Sequence, residues 1–150
     1  MDTITPTYPT AAAELVFLGA RCRILADAAD SGGRYGLVDM IEVPAGDMPP
    51  LHVHHAHDEG FLVLEGRVSL FLPGREIALS PGEFVLAPRG VPHAYQVGDA
   101  PARFLVLSSP AGFQQFVRDV AGLDDVTPEV LAATAAMRDI EILGPPGTLP

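Results

Sequence analysis

Four of the five histidines in this 150-residue chain fall within one stretch, Gly46 to Gly66, which reads G-D-M-P-P-L-H-V-H-H-A-H-D-E-G-F-L-V-L-E-G. His52 and His54 are two apart, so on a strand both project from the same face. Glu59 follows five residues after His54, within reach of that face from a turn or from the next strand. Neutral imidazoles and a carboxylate together suit one divalent transition metal: iron, manganese, cobalt, nickel or copper, with zinc as a further candidate. The competing reading is a solvated polar loop. Against it stands the apolar run Phe61 to Leu64 directly behind the cluster, which sets the histidines beside a core strand. His55 alternates to the opposite face from His52 and His54 and reads as exposed. His57 lies in the turn, in position to stand at the mouth of a site as a proton shuttle or an alternative ligand.

His93 lies apart from the others, in P-G-E-F-V-L-A-P-R-G-V-P-H-A-Y-Q, after a turn system and before a strand. A lone histidine is more often a satisfied structural residue than a ligand. Three candidate ligands nevertheless want a fourth to fix their geometry.

The elements that must position these residues are short. Leu15 to Leu18, Arg21 to Ala26 and Tyr35 to Val43 read as strands, with D-A-A-D-S-G-G from Asp27 to Gly33 as a turn. After the histidines come Phe61–Leu64, Val68–Leu72, Glu76–Leu79, Phe84–Ala87, His93–Val97 and Phe104–Leu107, divided by Gly- and Pro-bearing turns. That spacing predicts an all-β sandwich or barrel. The runs F-L-V-L and F-V-L-A are apolar on both faces, so one face fills the interior and the other needs a cover, either the C-terminal segment or a partner subunit. The period then changes. Ser109-Pro110 reads as a helix start, and Phe113, Phe116, Val117 and Val120 form one face of a helix ending near Gly122. Thr127-Pro128 starts a second helix to about Arg138, and Ile140–Leu143 reads as a last strand. Met1 to Thr10 reads as an arm or an edge-strand lead-in. With no repeat or linker, the chain reads as one domain over 1–150, its barrel core at about 15–108 and its helical segment at about 109–143.

Composition excludes several chemistries. The chain has no Lys, so a Schiff-base mechanism is closed to it. Cys22 is its one cysteine and reads as a small core residue, so neither an intrachain disulfide nor a multi-cysteine metal site can form. A formal charge of −10 argues against nucleic acid and anionic membrane as partners. No stretch reads as a signal peptide or approaches the ~18 apolar residues of a membrane span, so a cytoplasmic location is the default expectation.

At the level of motifs the chain resembles the cupins. Their first motif, G-x5-H-x-H-x4-E-x6-G, is met by Gly46, His52, His54, Glu59 and Gly66. Their second, G-x5-P-x-G-x2-H-x3-N, is met by Gly82, Pro88, Gly90 and His93, with Val97 where Asn is usual. The wording around the first motif, and the tail from Ser108 to Pro146, are similar to small single-domain bacterial cupins related to quercetinase, the flavonol dioxygenase.

The resemblance implies a jelly-roll β-barrel with C-terminal α-helices, and His52, His54, Glu59 and His93 as the metal ligands at its centre. It implies a small-molecule substrate and a homodimer. In the quercetinase-like reading the reaction is a dioxygenation of a flavonol or other enolisable aromatic, with Glu59 both ligand and catalytic base. Phe61 and Tyr95, two positions beyond Glu59 and His93, then line the substrate cavity by strand alternation, core packing being the competing reading. Two other readings belong to the same barrel: a non-oxidative metal-cupin enzyme (isomerase or lyase), and a non-catalytic small-molecule-binding cupin.

Overall fold

The short apolar runs between Gly- and Pro-bearing turns become strands in the computed structural model, which describes residues 12–150. The expected arm Met1 to Thr10 lies outside the described residues. In chain order the elements are β1 (Glu14–Phe17), β2 (Ala20–Ala26), α1 (Ala28–Ser31), β3 (Gly36–Val43), β4 (Leu51–His54), β5 (Asp58–Glu65) and β6 (Val68–Leu72). They continue with β7 (Arg75–Leu79), β8 (Phe84–Ala87), β9 (Ala94–Val97), β10 (Ala102–Ser109), α2 (Phe113–Ala121), α3 (Pro128–Ala136) and β11 (Ile140–Gly144). All strand pairs are antiparallel. One sheet has the order β1-β2-β3-β10-β5-β8; the opposing strands are β11-β4 and β7-β6-β9. A backbone bridge between His52 and His93 joins these two smaller pieces into one layer. The result is a jelly roll with its two longer helices, α2 and α3, in the C-terminal segment, as the sequence leads one to expect.

Alternation fills the interior. On β10, Ala102, Phe104, Val106 and Ser108 are buried while the residues between them are not. With Val38, Met40, Phe61, Val63, Val68 and Leu70 they form the core, and Cys22 is buried among them. The turn after β5 needs glycine: Gly66 has φ +80°, and a Cβ there would stand 2.8 Å from the Pro101 carbonyl oxygen.

Thr127 caps α3 with Pro128 at the first turn, as expected, and its hydroxyl accepts from the Val130 amide. Ser109-Pro110 does not start α2. Ser109 is still paired with Asp58 in the β5–β10 ladder, so the chain stays extended until it has turned through 110–112. The helix begins at Phe113, where the Gln114 side chain accepts from the Gly112 amide at 2.8 Å. The stripe Phe113, Phe116, Val117, Val120 is buried as the period demands. The turn at Asp27 to Gly33 contains a one-turn helix closed by an Asp27–Asp30 capping box.

Candidate metal centre

Both layers contribute to the site. His52 and His54 lie on β4, whose other edge is backed by β11, with His52 opposite Ile142 and His54 opposite Ile140. His93 precedes β9 and is held to His52 by two backbone hydrogen bonds. Glu59 comes from the opposing sheet, on β5 between Ser108 of β10 and Ala87 of β8.

One ligand atom from each of His52, His54, Glu59 and His93 lies within 4.8 Å of the others. His54, Glu59 and His93 are each no more than 2% exposed, and His52 is partly exposed toward the cavity. Glu59 Oε2 is 2.8 Å from His93 Nε2 and 2.7 Å from His54 Nε2. The His54 approach is out of line for a hydrogen bond, and both its ring nitrogens are buried with no hydrogen-bond partner among the described residues. Buried polar atoms left unpaired are costly, and a cation shared by these groups resolves that cost. Two of the other rings are oriented from behind: His52 Nδ1 faces the Pro50 carbonyl at 2.8 Å and His93 Nδ1 the Val91 carbonyl at 3.2 Å. Donation from Nδ1 leaves Nε2 unprotonated and available to a metal. The residues present therefore fit a divalent ion held by three imidazoles and one carboxylate.

Electrostatics agree. Burial, then the neighbouring His93 and His54, push His52 down to about 3, so it is neutral at pH 7 as a ligand must be. Burial alone would raise the Glu59 carboxyl, but His54 and His93 outweigh it and hold the group well below the usual carboxylate range.

The site opens into a cavity of about 640 Å³ walled by both sheets and by the C-terminal segment, including Phe113, Phe116, Leu131, Ile140 and Ile142. Phe61 and Tyr95 are part of this wall and of the core packing behind it, with ring centroids 6.2 Å apart. His55 is exposed, 3.6 Å from Glu141. His57 departs from the expectation. It is 2% exposed, is no part of the cavity wall, and packs behind His54 with ring centroids 4.5 Å apart. The turn that carries it folds inward under the start of α2, where Gly112 leaves room for the ring. Sequence reasoning also passed over Asp47, a wall residue whose position after the motif glycine carries no chemical signal of its own.

A family model described as "Cupin domain" matches residues 39–108. Quercetin 2,3-dioxygenase of Bacillus subtilis (strain 168) is 29% identical over 126 residues, 81% of this chain, and the chain spans 37% of that relative's length. An RmlC-like cupin from Shewanella frigidimarina superposes with a TM-score of 0.59 at 18% identity, over 74% of this chain and 96% of that one. A nucleoside dehydratase from Streptomyces gives 0.62 at 10% identity, over 95% and 93%. Facing antiparallel sheets gather three histidines and a glutamate between them, a group that could hold a metal ion. Residues 39–108 are thus similar to the cupin domain, and among the relatives of this chain is a quercetinase. Among the described residues, no helix is long and apolar enough to cross a membrane.

Proposed function

We propose that this chain is a metal-dependent dioxygenase of quercetinase type, acting on a flavonol or another enolisable aromatic with dioxygen as co-substrate. The observation that carries the reading is a buried carboxylate, Glu59, grouped with three imidazoles beside an apolar cavity large enough for a flat polycyclic molecule. The identity to the Bacillus subtilis enzyme over most of this chain supports it. A divalent metal held by His52, His54, Glu59 and His93 would supply the Lewis-acid and redox chemistry.

The chain's own residues do the rest. His54 and His93 both crowd Glu59 Oε2, while Oε1 takes no hydrogen bond among the described residues. Oε1 is the atom that accepts the proton of the substrate's hydroxyl. Phe61 and Phe104 press a planar substrate from the sheet side, and Phe113 and Phe116 close over it from α2 and exclude water.

A homodimer belongs to the same proposal. Leu62 and Phe84 are paired across β5 and β8, and Phe84, Leu86 and Leu64 are 54%, 47% and 38% exposed on the outer face at the β8 edge of the large sheet. These side chains carry no charge on a chain of formal charge −10, so here two copies can meet without repulsion.

Oxygen uptake by protein loaded separately with iron, manganese, cobalt, nickel and copper, against a panel of flavonols, tests the reading. Uptake that disappears in Glu59→Ala supports it. Turnover without oxygen consumption contradicts it and moves the chemistry to isomerase or lyase type, and no turnover with any metal moves it to ligand binding.

A further inference from the structure

Apart from the metal-ligand group, Asp47 is the one charged residue of the cavity wall among the described residues. None of the chain's nine arginines is part of that wall, and the chain has no lysine. Asp47 is fixed by its backbone, with its amide donating to the Pro44 carbonyl at 3.1 Å and its carbonyl accepting from the Val97 amide at 2.9 Å. Its carboxylate, partly buried, has no hydrogen bond and no ion pair among the described residues, and burial pushes it up from the ordinary carboxylate value. Tyr95, one strand over on the same wall, also has a hydroxyl without a partner among the described residues.

Position gives these two groups a role. The His52–His93 bridge and the Asp47–Val97 hydrogen bond show that segment 47–52 runs beside segment 93–97. From His93 to Val97 is about 13 Å of extended chain at ~3.3 Å per residue. The cavity thus has two polar poles separated by apolar wall: the metal-ligand group at one end, and Asp47 at the other, with Tyr95 between them.

We propose that Asp47 is a specificity-determining residue that receives a hydroxyl of a neutral, polyhydroxylated aromatic substrate at the end remote from the metal ligands, Tyr95 lining the path between. This rests on the reading of the cavity as a substrate site. An unpaired carboxylate in an apolar wall wants a donor, and a hydrogen bond to a charged acceptor is among the stronger ones. The same end of the cavity rejects a carboxylate or phosphate carried on the remote ring, since an anion placed there meets Asp47 and no arginine.

The test is binding, with zinc as a redox-inert ion so that oxygen chemistry plays no part. Dissociation constants of zinc-loaded protein are measured for a flavonol with a para-hydroxyl on its pendant ring, for the same flavonol without it, and for its para-carboxylate analogue. Wild-type protein is expected to prefer the hydroxylated compound about tenfold and to bind the carboxylate most weakly. Asp47→Ala is expected to abolish the preference and to tighten carboxylate binding. Asp47→Asn, which keeps an acceptor at the same place and leaves both backbone hydrogen bonds alone, is expected to retain part of it. A preference unchanged in both variants, or no preference or no binding in wild type, overturns the proposal. The dioxygenase reading fails separately, on oxygen uptake.

Discussion

His52 and His93 hold each other through the backbone: the His52 amide donates to the His93 carbonyl at 3.2 Å, and the His93 amide to the His52 carbonyl at 2.9 Å. Two candidate metal ligands from different motifs are thereby fixed in register by the backbone alone. Loading the protein with a divalent metal is therefore expected to leave its far-ultraviolet circular dichroism unchanged while raising its stability by mass action, about 2.7 kcal/mol at a free metal concentration a hundred times Kd. Denaturant titration with and without metal checks both parts. A large gain of ordered structure on loading would show that the site is not pre-built.

His57 braces His54 from behind, and Gly112 makes room for it: a Cβ on Gly112 would stand 2.7 Å from His57 Nδ1. Gly112→Ala is expected to drive His57 against His54, costing about 1–3 kcal/mol of stability and weakening metal binding together. Urea unfolding and a metal titration on the same variant measure the two effects.

The buried imidazoles set a pH dependence. His52 is lowered to about 3 by burial first and then by its histidine neighbours, and His57 to about 4 by burial first and then by His54. Both lie below the ordinary value, so the unfolded chain binds more protons between about pH 6.5 and 4 and stability falls as pH falls through that window. Metal-free protein is expected to take up roughly two protons on unfolding near pH 5, a slope on the order of 1–3 kcal/mol per pH unit. Denaturation curves between pH 7 and pH 4.5 measure the slope. The metal-loaded protein is expected to show steeper loss, because protons compete for the same imidazoles.

Phe84 tests the outer face. Phe84→Glu, with the side chain 54% exposed in the single chain, is expected to convert a dimer to a monomer in sedimentation equilibrium while leaving metal content unchanged.

The gathering of His52, His54, Glu59 and His93 was legible because metal chemistry selects residue type and strand geometry fixes spacing. His52 and His54 could be placed on one face from their separation alone, whereas His93 joined them only through the motif resemblance, since nothing local announces a bridge to His52. The strands were legible for the same reason as the ligands, through alternation and turn residues. What failed was non-local. Ser109-Pro110 has the composition of a helix start, but the ladder to Asp58 holds Ser109 in a strand. Gln114 lies beside the apolar stripe and is 2% exposed, accepting from the Gly112 amide and donating to Asp27, partners that no local pattern announces. His57 reads as a residue at the mouth of the site because it sits in a turn, and only the approach of α2 buries it.

Metal stoichiometry tests the central claim most directly. Dialysed protein titrated with cobalt, followed by its visible absorption and by elemental analysis, is expected to bind one ion per chain, with His93→Ala and Glu59→Ala each losing that ion while still folded. A wild-type chain that binds no ion, or variants that keep it, would contradict the assignment of His52, His54, Glu59 and His93 as a metal centre.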